Sequence, residues 1–122
     1  MFVLQSDDGV MACVAVARPL REENVHETAE PLKDILGINC YRRTVLLDLS
    51  NLQLIDSSGF AWLVKHQKLM RQQGGQLILH SASPWLGQTL ARLKMDLIFR
   101  IATDRESAVR LARKNGYALE RH

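Results

Sequence analysis

At 122 residues, 47% hydrophobic and 24% charged, the chain has material for one core and one domain over 1–122, with 1–115 as its body and 116–122 as an aperiodic tail that frays. A net charge of +3 is only mildly basic, and the cations from Arg92 to Arg121 read as solvated helix faces without interleaved aromatics, which argues against direct nucleic-acid binding. Cys13 in an apolar run and Cys40 in a polar connection make neither a disulfide framework nor a metal cluster; with no signal-like leader and no run near the ~20 apolar residues of a membrane span, a cytoplasmic protein is expected.

The first elements are two short apolar runs, Phe2 to Gln5 and Met11 to Val16. Asp7-Asp8-Gly9 lies between them, the composition of a β-hairpin turn. Arg18 to Glu27 is polar and reads as a connection. A helix follows from Thr28, a start preferred to Asn24 because Pro31 then stays within the first turn; Gly37 ends it. Thr44 to Leu49 is apolar and branched enough for a buried central strand, followed by a loop from Ser50 to Ile55.

Asp56-Ser57-Ser58-Gly59 then opens a helix that runs to about Gln73 and stops at Gly74-Gly75. At about 100° per residue, Gly59, Trp62, Leu63, His66, Leu69 and Met70 share one stripe and Lys65, Lys68 and Gln72 lie opposite. Phe60, Ala61 and Val64 fall off the stripe, so they either cover the sheet edge or meet a partner. Gln76 to His80 is the next strand, Ser83-Pro84 starts the next helix, and Leu97 to Ala102 is the last strand. Thr103 to Glu106 resembles a capping box opening a terminal helix. The sum is an α/β fold: an N-terminal hairpin, then alternating helices and strands forming a mixed, mostly parallel sheet through right-handed crossovers, with helices packed on it.

Ser57 stands beside the unpaired N–H groups and the positive end of a helix dipole, where a phosphoryl group is held favourably. A plain capping serine is the competing interpretation. Ile55-Asp56-Ser57-Ser58-Gly59 does not satisfy the Gly-x-Ser-x-Gly pattern of hydrolases, and no Walker-type loop is present, so no catalytic residue, cofactor or enzyme activity is expected. His66, on the apolar stripe and without a second ligand at helical spacing, reads as a core histidine rather than a metal ligand.

The layout, the tetrad Asp56-Ser57-Ser58-Gly59 after Val45-Leu46-Leu47-Asp48-Leu49, the Gly74-Gly75 stop, Leu77-Ile78-Leu79, the Ser83-Pro84 helix start and Glu106-Ser107-Ala108 together resemble the STAS domain of bacterial anti-sigma factor antagonists. The resemblance implies that Ser57 is the phosphoacceptor, with Ser58 as the fallback. It implies an anti-sigma factor with serine kinase activity as direct partner, a serine phosphatase that reverses the modification, and a sigma factor engaged only indirectly. The unphosphorylated protein would bind the kinase through Asp56, Ser57, Ser58, Gly59, Phe60 and Trp62, and phosphorylation would break that complex. Where the family turn continues Gly-Leu-Gly, this chain has Gly59-Phe60-Ala61-Trp62, a bulkier surface. That difference keeps a second interpretation in view, an unphosphorylated STAS scaffold or transporter-associated subunit, and self-association is compatible with either.

Overall fold

The computed structural model describes residues 2–7, 11–16, 31–37, 39–52 and 55–120. Among these residues five strands form one sheet in the order β1 (Phe2–Asp7), β2 (Met11–Val16), β3 (Thr44–Asp48), β4 (Gln76–His80) and β5 (Arg100–Ala102). β1 pairs antiparallel with β2, and every later pair is parallel. This is the mixed sheet expected from the sequence. The hairpin turn around Asp8-Gly9, the connection from Arg18 to Glu27 and the start of the first helix at Thr28 lie outside the described residues.

Alternation along the strands divides the core in two. Val14, Val16, Val45, Leu47, Leu77 and Leu79 face one side, where they meet α1 (Pro31–Leu36), α2 (Ser57–Gln73) and α3 (Pro84–Arg92). Cys13, Leu46 and Ile78 face the other, against Ala108 and Ala112 of α4 (Arg105–Glu120). Burial on both faces explains why the central strands read as continuous apolar runs. Each fully buried leucine in them contributes about 2 kcal/mol.

Helix ends follow local chemistry. Gly37 and Gly74 adopt φ of 91° and 90°, and the Gly75 amide closes α2 by donating to the Met70 carbonyl at 2.8 Å. Ser83 caps α3 by accepting from the Leu86 amide at 3.2 Å.

Two expectations change, and two features lie beyond what the sequence indicated. The last strand begins at Arg100 rather than Leu97, because Met95–Leu97 is a 3-10 turn that leaves Leu97 78% exposed. The cap of α4 is Asp104, whose carboxylate accepts from the Ser107 amide at 2.7 Å; the neighbouring Thr103 was the expected cap. Cys40 lies in the connection expected of it, between α1 and β3, but is fully buried there. The aperiodic stretch from Gly116 continues α4 as helix as far as Glu120.

His80 ends β4 on the α4 side of the sheet and is 1% exposed, with Nδ1 2.8 Å from the Ser81 hydroxyl. Burial pushes its pKa below the ordinary 6.5; Asp48 and Asp104 pull it back up, and Arg105 adds to the depression. The folded chain therefore keeps this ring neutral where the unfolded chain binds a proton. That contribution to stability is complete above pH 6.5 and is lost as pH falls through the lowered folded value. Asp48, which burial alone would raise, is held low by hydrogen bonds from Ser50 and Gln5, and Asp104 is held low by Ser107. Their contributions fade only below 3.8, a separate window. Urea titrations between these two limits should show the midpoint falling with pH, and His80→Gln should flatten the slope; an unchanged slope would remove His80 as its source.

Candidate functional site

The sequence places Asp56, Ser57, Ser58 and Gly59 at the point where the chain leaves the carboxyl end of β3 and enters α2. Asp56 is the N-cap, in extended conformation, and its Oδ1 accepts from the Gly59 amide at 3.0 Å. Its carbonyl accepts from the Phe60 amide at 3.0 Å. Ser57 is thus the first helical residue and is exposed, whereas Ser58 is half-buried. The first-turn amides of Ser57 and Ser58 have no carbonyl one turn back to bond, so an oxyanion on the Ser57 hydroxyl would sit against helix donors and the positive end of the dipole.

The turn is held from beneath. Gly59, Trp62, Leu63, His66 and Met70 are buried along one face of α2, the stripe expected from their spacing, with Leu69 half-buried at its edge. The Trp62 and His66 rings stack with centroids 3.8 Å apart, and Tyr41 lies 6.0 Å from His66. Nδ1 of His66 is 2.9 Å from the Trp62 carbonyl. His66 is therefore a packing residue within the core, and this aromatic group ties α2 to the Cys40–Arg42 turn. Of the six residues expected to face a partner, Gly59 and Trp62 lie behind the surface as its support.

Phe60, Ala61 and Val64, set apart by their position off the stripe, form one wall of an open groove of about 650 Å³. Leu69 continues that wall, and Leu93 and Met95 form the opposite one. Ser57 lies at the end of the groove where α2 starts, and Lys65 and Lys68 stand along it. The second wall was missed in the sequence because Leu93 continues the Leu86 and Leu90 spacing and so reads as core. It instead follows the end of α3 and is 49% exposed. Lys94 turns the chain through φ 58°, and Gln67 donates to the Ile98 carbonyl at 3.2 Å, linking the turn to α2.

The STAS domain family model matches residues 2–108, and the chain belongs to that family. Among solved structures, a Thermotoga maritima protein proposed to be an anti-sigma factor antagonist superposes with a TM-score of 0.80 at 23% identity, covering 92% of this chain and 94% of that one. The anti-sigma factor antagonist SpoIIAA in its unphosphorylated form gives a TM-score of 0.66 at 17% identity, covering 93% and 98%. The murine anion transporter Slc26a9 gives 0.73 at 18% identity, covering 85% of this chain and 18% of the transporter. At these identities the structural likenesses establish the fold.

Proposed function

We propose that this protein is an anti-sigma factor antagonist that binds an anti-sigma serine kinase while Ser57 is unmodified and releases it when the kinase phosphorylates Ser57 with ATP. A serine phosphatase restores the binding form, and the sigma factor is affected only through the kinase. The observation that carries this reading is the exposed Ser57 hydroxyl at the first position of α2, beside an Asp56 cap and at the end of an apolar groove. A phosphoryl group of roughly −1.5 to −2 charge is tolerated by the helix start in the free protein. In a close interface the same group meets bulk, lost hydration and the neighbouring Asp56 carboxylate.

On this reading the chemistry belongs to the partners and recognition to this chain, which acts in the cytoplasm beside its kinase. Intact-protein mass spectrometry after incubation with ATP and the anti-sigma kinases of its own organism tests the reading. One added phosphate, mapped to Ser57 and lost in Ser57→Ala, is the expected result; a phosphate on Ser58 would move the switch by one residue. If no kinase modifies the protein while one still binds it, the second reading takes over. That reading is a constitutive scaffold or transporter-associated subunit, favoured by the likeness to a domain-sized part of Slc26a9.

A further inference from the structure

The corner of the sheet where β4 ends holds a buried histidine with one ring nitrogen unsatisfied. We propose that His80 is a proton-operated latch for α4: charging its ring loosens the start of that helix and opens the α4 face of the sheet, while the α2 face with Ser57 stays closed.

Strand register fixes the corner. His80 lies beside Asp48 of β3 and Ala102 of β5, and Asp104, the cap of α4, follows two residues after Ala102. Nδ1 of His80 is 2.8 Å from the Ser81 hydroxyl. Nε2 is buried with no hydrogen-bond partner among the described residues. A neutral ring meets this arrangement with one nitrogen bonded and one orphaned. An imidazolium carries N–H on both nitrogens, so the closed form would hold a charged donor, buried and unpaired, which is far costlier. The backbone adds to the tension, since Ser81 takes a φ of 61°, in the left-handed region that a serine adopts only at a cost.

Charges around the ring set the direction of movement. β3 brings Asp48, whose Oδ1 accepts from the Ser50 amide at 2.8 Å and whose Oδ2 accepts from Gln5 at 3.1 Å. β5 brings Arg100, two residues before Ala102 and on the same face. α4 brings Asp104 and also Arg105, which donates to the Ser6 hydroxyl at 3.0 Å and so ties the helix start to β1. Glu106 and Arg110 pair on the exposed side of α4. A charged ring repels Arg105 and attracts the exposed carboxylate of Asp104, and both effects work against the seating of the first turn of α4. Burial holds the His80 pKa below 6.5, and both carboxylates titrate below 3.8. Between these limits the ring is the group of this corner that changes charge.

α4 is the element that can open by itself. It is the last helix, so its release leaves all five strands paired. Among the described residues its face buries Cys13, Leu46, Ile78, Ala108 and Ala112, a small cluster beside the one between the sheet and the other helices. Regions with few buried apolar contacts open first.

Cys13, 3% exposed beneath α4, reports the opening, and Cys40, fully buried on the other face, is the internal control. The whole protein is treated with 4,4′-dithiodipyridine from about pH 7 to about pH 4.5. The rate at each cysteine, resolved by peptide mass, is divided by its rate in urea-unfolded protein at the same pH. The relative rate of Cys13 should rise about tenfold per pH unit below the His80 pKa while that of Cys40 stays flat, and in His80→Gln neither should respond to pH. Hydrogen exchange on the parent gives a second measurement that needs no variant. The Ala108 and Val109 amides should lose protection over the same range, and the Leu47 and Leu79 amides should keep theirs. Opening of Cys13 and Cys40 together, a Cys13 rate flat with pH, an unchanged pH response in His80→Gln, or α4 amides as protected in acid as at neutrality would each overturn the latch.

Discussion

Gly75→Ala is expected to lower stability by about 3 kcal/mol, at the upper end of what overpacking a tight site costs. A Cβ at this position would fall 2.5 Å from the Arg43 carbonyl oxygen, closer still to that of Tyr41, and 2.9 Å from the Tyr41 carbonyl carbon. All three are backbone atoms, so no side chain can rotate away to make room. The same segment starts the β3–β4 ladder, where the Gln76 amide donates to the Arg43 carbonyl at 3.1 Å. Relief would therefore move the entry of β4 away from β3. The adjacent Gly74 makes the contrast: a Cβ there meets nothing within 4 Å, but φ is +90°, so alanine costs only the backbone strain of about 1–2 kcal/mol. Urea denaturation of both variants separates the two causes. If Gly75→Ala matched the parent midpoint, or fell less than Gly74→Ala, the close approach would not be limiting.

Ser57→Asp should weaken the complex with the anti-sigma kinase by roughly 100-fold, because a charge buried opposite an interface without a partner costs about 2–5 kcal/mol. The loss should appear chiefly as faster dissociation. The substitution leaves the fold intact for a physical reason. A carboxylate in the first turn of α2 interacts favourably with the helix dipole by about 0.3–1 kcal/mol, so the free protein gains slightly in stability. Ser57→Ala should bind as tightly as the parent and no longer respond to ATP. Surface plasmon resonance with immobilised kinase gives both rate constants, and parent-like dissociation of Ser57→Asp would remove Ser57 from the interface.

Most of the fold was legible because period and punctuation agreed. The branched run from Val45 to Leu49 could only be a buried strand, and the Leu49 amide does continue the ladder by donating to the His80 carbonyl at 2.9 Å. The buried stripe of α2 followed from spacing, and its stop at Gly74 from the glycine pair that ends the run. Leu52 was assigned to a loop, yet it is 2% exposed, because a turn that tucks one side chain inward carries no periodicity. Cys40 escaped for the same reason: its polar sequence neighbours say nothing about the helices α1 and α2 that pack on its turn. In the candidate site, a capped helix start was visible as local chemistry, but the choice between Asp56 and Ser57 as its cap was settled only by the structure, in favour of Asp56. The far wall was not visible, since Leu93 and Met95 reach α2 only through the backbone reversal at Lys94.

The strand order β1-β2-β3-β4-β5 matches the order of synthesis, so each strand's sheet neighbour is also the strand made just before it. Nothing must be threaded between strands already paired, and no early strand waits for a late one to complete the middle of the sheet. A chain leaving the ribosome can add each strand to a growing edge, with the α2 turn closed once β4 docks on β3. Such nearest-neighbour assembly keeps loop-closure entropy small and favours fast folding for a parallel sheet. The exposed start of α2, with Ser57, is then built before α4 has been made.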